Sequence, residues 1–164
     1  MPAQPGSATS THTSPPPHPE TTDTDADPLI ATADYRSWGW PITLHHDQTW
    51  LNLNRDAVAL IIPTPLVTEV TTVLTLRRCP PAVLAHPYTP GHQVFLTDEP
   101  YGVALPCPPR VHRVTATVLL PPTVTPRGPV TWIHPPQANS LRFCREIDLF
   151  GALRTVMGKS SPVK

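Results

Sequence analysis

The residues with the clearest chemical potential lie in one loop within Val118–Pro136. Thr123, Thr125 and Arg127 stand between two short apolar runs, and a proline pair ends each run, as expected where strands stop. Gly128 can adopt a positive φ and let the chain reverse. Two hydroxyls, a guanidinium and backbone N–H groups so close together suit an anion such as a phosphate. The alternative is an ordinary solvated hairpin loop that carries one surface arginine.

The periodicity of apolar residues indicates which elements position this loop. Three helices are predicted, one from Asp27-Pro28 to Gly39, one from Thr64 to about Arg78, and one from Asn139 or Ser140 to about Met157. Strands are predicted at Ile42–Leu44, Thr49–Leu53, Ala57–Ile62, Ala82–Ala85, Gln93–Thr97, Val103–Leu105, Val114–Leu120 and Val130–His134. The pattern predicts an α+β fold, a mainly antiparallel sheet with about three helices packed on it.

The apolar stripe of the last helix predicts which of its side chains reach the core. The stripe repeats every three or four residues, at Leu141, Cys144, Ile147, Phe150, Leu153 and Met157. Arg142, Arg145 and Glu146 fall away from the stripe and are expected to be solvated. In the first helix the apolar face is Leu29, Ile30, Ala33 and Trp38.

Composition divides the chain into three parts. Residues 1–27 are rich in Pro, Ser and Thr and contain no aromatic residue, so this segment is predicted to be a disordered acidic tail. Residues 28–157 are predicted to form one domain, and residues 158–164 a frayed end. The start of the chain lacks the pattern of a signal peptide, and no run of about 18 apolar residues predicts a membrane span.

The charge balance and the cysteines indicate which kinds of partner and compartment to expect. The 12 basic and 12 acidic residues balance, but the tail holds four acids, which leaves the remainder with 12 basic and 8 acidic residues. This small excess favours a polyanionic partner, or else serves solubility. Cys79, Cys107 and Cys144 form no C-x-x-C motif and are predicted to be buried thiols of a cytoplasmic protein. No cofactor motif is present, and we predict none.

The adjacent pair His45-His46, followed by Asp47, could suggest a metal site. Neighbouring side chains on a strand point to opposite faces, so the two imidazoles are not expected to converge on one ion. The three residues are better explained as a hairpin turn.

Four segments carry a family resemblance: Ala33–Ile42 (ADYRSWGWPI), Arg55–Leu74, Pro90–Thr97 (PGHQVFLT) and Leu119–Pro136 (LLPPTVTPRGPVTWIHPP). They resemble the opening helix and GWP turn, the next strand and helix, the histidine-bearing strand and the closing hairpin of a known domain. That domain is the bifunctional DNA primase/polymerase N-terminal domain of actinobacteria, in the archaeo-eukaryotic primase superfamily. The resemblance implies a DNA or nucleotide partner, with His92 at the position of the family's nucleotide-contacting histidine.

The chain departs from that family at the metal-binding acids. Primases of this superfamily hold two divalent metals with carboxylates on strands, since Mg²⁺ prefers hard oxygen ligands. The matching strand, Ala57–Ile62, has no acid, and neither has Arg113–Thr117. Asp56 stands alone before its strand, and Asp98-Glu99 has the character of a turn.

The leading hypothesis is therefore a primase/polymerase-like domain without nucleotidyl transfer, linked to replication or a mobile element, that binds DNA or a nucleotide weakly. Its catalytic residues are unassigned, and its predicted contacts are His92, Arg113, Thr123, Thr125 and Arg127. A second hypothesis is a non-enzymatic interaction module whose tail and basic face dock to a replication protein. A third is an active primase/polymerase whose metal ligands are Asp56, Asp98 and Glu99.

Overall fold

The computed structural model describes residues 28–53, 57–98, 105–136 and 143–159. Its helices are α1 (Pro28–Ser37), α2 (Thr64–Leu76) and α3 (Glu146–Lys159). Its strands are β1 (Ile42–His45), β2 (Gln48–Asn52), β3 (Ala57–Pro63), β4 (Ala82–Ala85), β5 (His92–Asp98), β6 (His112–Val114), β7 (Thr117–Leu120), β8 (Val124–Thr125), β9 (Gly128–Pro129), β10 (Thr131–His134) and β11 (Cys144–Arg145). The predicted acidic tail lies outside the described residues.

Two antiparallel sheets form the framework, which confirms the predicted α+β fold. The larger sheet has the order β10-β4-β5-β3-β6, and the smaller has the order β1-β2-β7. β5 lies between β3 and β4 and is antiparallel to both, so β3 and β4 are parallel and α2 connects them. This is a split β-α-β arrangement. The short β11 extends the larger sheet by pairing in parallel with the end of β5.

The larger sheet is covered on both faces, because its central strands are apolar throughout. Side chains alternate along a strand, so Ala59 and Leu96 face the smaller sheet while Leu60 and Phe95 face the helices. The helix-side core adds Val70, Leu74, Leu149, Phe150 and Leu153, and the sheet-side core adds Leu51, Trp40, Val118 and Leu120. The near-continuous apolar runs of β3 and β5 reflect this two-sided burial.

An aromatic cluster fixes α1 against the sheets. The Tyr35 ring stacks on Trp40 at a centroid distance of 5.2 Å, and the Trp132 indole donates a 2.8 Å hydrogen bond to the Tyr35 hydroxyl. The chain leaves α1 through Gly39, whose φ of 75° ends the helix as predicted. The predicted apolar face of α1 is wrong in part, because Ala33 is exposed while Thr32 is buried.

The last helix is shorter than its sequence pattern predicts. α3 begins at Glu146, and Cys144 belongs to β11 instead of the helical stripe. The buried residues are Leu149, Phe150, Ala152, Leu153 and Val156, whereas Ile147 is 56% exposed. Glu146, predicted to be solvated, is only 3% exposed. Leu141 and Arg142 lie outside the described residues.

Two further strand predictions need correction. The run predicted as one strand, Val114–Leu120, is divided into β6 and β7, which belong to different sheets. The chain leaves the larger sheet at exposed Thr115 and Ala116 and joins the smaller one. The predicted strand Val103–Leu105 falls mostly outside the described residues, and Leu105 is in no strand. Among the described segments, no helix has the length and hydropathy needed to cross a membrane.

Candidate functional site

The connection between β4 and β5 lines two neighbouring cavities at the surface. Its sequence, HPYTPGH, turns through Gly91, whose φ is 77°. The backbone N–H of Thr89 donates to the carbonyl of His86 at 3.0 Å, and the N–H of His92 donates to the carbonyl of Thr89 at 3.0 Å. The N–H of Thr64 donates to the carbonyl of Gly91 at 2.9 Å, which ties this connection to the start of α2. The histidines at its two ends are therefore held by a hydrogen-bonded turn.

An apolar cavity of about 210 Å³ opens between the two sheets beside this turn, and we call it the inner chamber. Its walls come from both sheets, chiefly Trp50, Ile61, Val94, Val114, Val118 and Leu119. Thr117, His86, Tyr88 and Thr89 supply the polar atoms of its lining. This size is below the roughly 300 Å³ at which pockets for drug-sized ligands begin, so the chamber suits a single flat ring system.

A second cavity of about 290 Å³, which we call the outer basin, adjoins the chamber and shares His86 and Thr89 with it. The basin lies at the start of α2 and is lined by Thr64, Ala85, Pro87, Pro90, Gly91, His92, Gln93 and Pro129. No carboxylate is among the described residues that line either cavity. The positive end of the α2 dipole and the absence of lining acids make the basin favourable to an anion.

His86 lies where the two cavities meet and is neutral at physiological pH. Burial lowers the pKa of its imidazole, because the charged form loses hydration there. The backbone N–H of Tyr88 donates to Nδ1 of His86 at 3.3 Å. Neutral imidazole has one donor and one acceptor nitrogen, so Nε2 carries the hydrogen and is the donor.

His92 begins β5 and lines the basin with a partly buried ring. Its Nδ1 lies 3.2 Å from the carbonyl oxygen of Pro90. Because a carbonyl can only accept, Nδ1 is the donor, and Nε2 remains for contact with a ligand. The structure thus places the predicted contact His92 at the mouth of a cavity.

Arg127 reaches the same region from the β8–β9 hairpin. Its guanidinium carbon lies 5.2 Å from the centroid of the Tyr88 ring, within the range of a cation–π contact. Gly128 has a φ of 127°, and a Cβ built on it would lie 4.0 Å from the side chain of Pro87. The hairpin is therefore packed against the β4–β5 connection, and exposed Arg127 lies over Tyr88, a residue that lines the inner chamber.

The prediction that the loop exposes two hydroxyls is wrong for Thr123 and Thr125. Thr123 is fully buried, and its hydroxyl oxygen accepts a 2.8 Å hydrogen bond from the backbone N–H of Thr49. Thr125 is 5% exposed, and its hydroxyl donates to the carbonyl of Gly128 at 2.8 Å while accepting from the N–H of Arg127 at 3.2 Å. Both hydroxyls stabilise the loop, because buried polar groups need partners inside the protein.

Arg113 is also separate from this region. It lies on the helix side of the larger sheet, where its guanidinium forms an ion pair with Glu146 and donates to the carbonyl of Leu105 at 2.9 Å. The side chain of Arg113 is 14% exposed and that of Glu146 is 3% exposed. The pair joins β6 to the start of α3, and the predicted contact of Arg113 with a ligand is therefore not supported by its position.

Asp98, the predicted metal ligand that the structure describes, lies away from the basin. Asp98 ends β5, and its Oδ1 accepts a 3.2 Å hydrogen bond from the backbone N–H of Phe143. His92 begins the same strand, so the two residues are about 20 Å apart at roughly 3.3 Å per residue. Asp56 and Glu99 lie outside the described residues. Among the described residues, no group of three or more His, Cys, Asp or Glu side chains could hold a metal ion.

The arrangement can hold a flat apolar group in the inner chamber and an anionic group in the outer basin. His86, Tyr88 and Thr89 are the lining residues that the sequence interpretation missed. The sequence could have predicted these residues, because HPYTPGH puts two histidines and an aromatic residue into a turn between two apolar strands. A loop of this composition between buried strands is a common location for binding residues.

The comparisons with known proteins give no relative from which a ligand could be transferred: no family model, no curated protein and no solved structure matches the chain.

Proposed function

We propose that the chain is a primase/polymerase-like domain that binds a nucleotide, or a nucleotide unit of single-stranded DNA, without nucleotidyl transfer. The observation that carries the proposal is the junction of two cavities: an apolar chamber, whose lining residue Tyr88 contacts Arg127, and a basin lined by His92. A base is a flat ring system with apolar faces, and a phosphate is an anion. The two cavities match these two parts in size and in chemistry.

The phosphate belongs in the outer basin. Arg127 supplies a permanent positive charge beside Tyr88, and Nε2–H of His86 supplies a neutral donor at the junction of the two cavities. The positive end of α2 adds a favourable field. Contacts of this kind supply affinity without reading the base sequence.

The base belongs in the inner chamber, between the two sheets. Trp50 and Tyr88 are the aromatic side chains of its lining, and stacking on such rings is tolerant of base identity. The strand faces that form the chamber carry Ile61, Val94 and Val114, in place of the carboxylates that two-metal chemistry needs. This lining offers apolar contacts to the faces of a base.

Binding should be weak and dependent on salt, on the order of 10⁻⁴ to 10⁻⁶ M at physiological ionic strength. The test is a titration of the protein with a labelled single-stranded oligonucleotide at two salt concentrations. Arg127→Ala should weaken binding for every sequence and reduce the salt slope by about one phosphate contact. Arg154→Ala, at an exposed position of α3, is the matched control and should leave both unchanged.

Three results would contradict this function. Equal binding by the wild type and Arg127→Ala would remove the basin from the interaction, and an absence of binding at low salt would favour the interaction module. Primer synthesis with Mg²⁺ or Mn²⁺ would show that nucleotidyl transfer is retained.

A further inference from the structure

The β1–β2 turn brings two imidazole rings together at the surface. Nδ1 of His45 lies 2.5 Å from Nδ1 of His46, and the ring centroids are 4.0 Å apart. Both residues are exposed. The prediction of a hairpin turn is confirmed, but the prediction that the two rings diverge is wrong.

The backbone explains why the rings converge. His46 and Asp47 have φ values of 46° and 61°, so both central residues of this two-residue turn are left-handed. Side chains alternate between opposite faces only while the backbone is extended. His45 is the last residue of β1, and the left-handed conformation of His46 directs its ring back toward that of His45. The hairpin register, His45 opposite Gln48, holds this geometry in place.

The paired nitrogens have room around them for an ion and its solvent. His45, His46 and Asp47 border a surface depression of about 470 Å³, together with Leu44, Thr49 and Pro122. Two nitrogens that face each other at this distance share at most one hydrogen, so at least one lone pair points at the neighbouring ring. Imidazole nitrogens are the commonest metal ligands in proteins.

The turn offers two imidazole ligands, and this number determines which metal ion it could bind. Structural Zn²⁺ needs four ligands, and Ca²⁺ and Mg²⁺ need several oxygens. Among the described residues, no third His, Cys, Asp or Glu joins this pair in a cluster able to hold a metal. Cu(I) is a d¹⁰ ion that is stable with two ligands in a line, and imidazole is among the ligands that suit copper. We propose that the Nδ1 atoms of His45 and His46 form a two-coordinate Cu(I) site.

Only a small rearrangement separates the present geometry from that site. Metal–imidazole bonds are about 2.0 Å long, so two nitrogens on opposite sides of one ion lie about 4 Å apart. The Nδ1 atoms must therefore separate by about 1.5 Å, and rotation of two exposed side chains provides this without moving the turn. The site is on the smaller sheet and does not depend on the nucleotide proposal.

The experiment is an anaerobic titration with Cu(I) in competition with a chromophoric Cu(I) chelator. Cys107 is an exposed thiol that would bind the same ion, so the parent protein is the full chain with Cys107→Ser. His45→Ala and His46→Ala are compared with His112→Ala, which changes an exposed histidine on β6. Cys79 and Cys144 are a hydrogen-bonded pair of thiols, and thiolates select Cu(I), so the parent also carries Cys79→Ser. Cys144 is buried and is common to every variant, so differences among the variants report on the histidines.

The expected result is a loss of Cu(I) affinity of about tenfold or more for His45→Ala and for His46→Ala, with no change for His112→Ala. X-ray absorption of the loaded parent should have the edge feature of linear two-coordinate Cu(I). Identical titrations of the parent and the His45→Ala/His46→Ala double variant, with equal thermal melts, would overturn the site. Tighter binding of Zn²⁺ than of Cu(I) that requires both histidines would overturn the choice of ion.

Discussion

At the scale of single residues, the ion pair of Arg113 and Glu146 explains why helical periodicity fails to predict the burial of a charged residue. Glu146 is charged and lies off the predicted apolar stripe of the last helix, so its spacing predicts solvation. Its burial instead follows from a partner 33 residues away, on β6, which helical spacing does not contain. Buried charges in proteins are paired, and the pair joins the larger sheet to the helix.

Glu146→Ala should lower the free energy of unfolding by about 3 kcal/mol, because it leaves the largely buried Arg113 guanidinium without its counter-ion. Asp148→Ala is the control, since its pair with Arg145 is more exposed, and it should cost about 1 kcal/mol or less. Urea denaturation of the three proteins measures the difference. Equal effects of the two changes would mean that the Arg113–Glu146 pair does not stabilise the fold.

The raised pKa of Tyr35 predicts that the protein loses stability at alkaline pH. Burial, the largest cause, raises the pKa of its phenol from 10.0 to about 12. The unfolded chain therefore releases the proton at lower pH than the folded chain, so the contribution to stability is complete below pH 10 and is lost as the pH rises toward 12. Within that window the loss is about 1.4 kcal/mol for each pH unit.

The measurement compares urea denaturation of the wild type and Tyr35→Phe at a pH below 10 and again close to 12. The wild type should lose more stability than the variant over this interval, because phenylalanine has no proton to release. A parallel decline of the two proteins would contradict the shifted pKa.

At the scale of secondary structure, the central strands were predictable and the last helix only in part. β3, β4 and β5 are short apolar runs bounded by turn residues, and local pattern was sufficient for them. The start of α3 was not predictable, because Cys144 pairs with Thr97 in β11, and an apolar residue fits a strand as well as a helical stripe. The Thr123 hydroxyl was misjudged for a similar reason, since its partner Thr49 is 74 residues away, whereas the partners of Thr125 lie within its own loop.

In the candidate site too, local sequence predicted some residues, and others depend on tertiary contacts. Arg127 and His92 were recognisable because their residue types and turn signals are local. His86, Tyr88 and the inner chamber depend on how the two sheets meet, and the register between β2 and β7 is not contained in either strand alone. Composition therefore singled out side chains that lie beside the cavities but not the cavities themselves, and contact of Arg127 and His92 with a ligand stays a prediction.

For α3, Phe150→Ala should cost about 3 to 5 kcal/mol, because the ring is only 2% exposed and its removal leaves a cavity between α2, α3 and β5. Ile147→Ala, at a position that is 56% exposed on the same helix, should cost far less. Thermal or chemical denaturation decides between them. A larger loss for Ile147→Ala would mean that the helix buries the opposite face.

At the scale of the whole molecule, the two cores should unfold together. β3 and β5 contribute alternate side chains to both cores, so neither core can be lost while the other keeps its sheet intact. All four tryptophans belong to the sheet-side core, whereas α2 and α3 pack on the other. Tryptophan fluorescence and helical circular dichroism therefore report on opposite sides of the larger sheet.

The two signals should change with the same midpoint and the same slope in urea, as two-state unfolding requires. The comparison needs no mutation. A fluorescence transition that precedes the dichroism transition would show that the smaller sheet separates first, and with it one wall of the inner chamber.

The pairing of β2 with β7 has a consequence for the nascent chain. Thr49 pairs with Leu120, so the hairpin that ends in β2 leaves the ribosome with one edge bare until roughly 70 more residues have been translated. At 5 to 20 residues per second this interval is roughly 4 to 14 s. An unpaired strand edge templates wrong pairing with other chains. During those seconds the bare edge of β2 is open to wrong pairing, so slowed translation between β2 and β7 should increase co-translational aggregation.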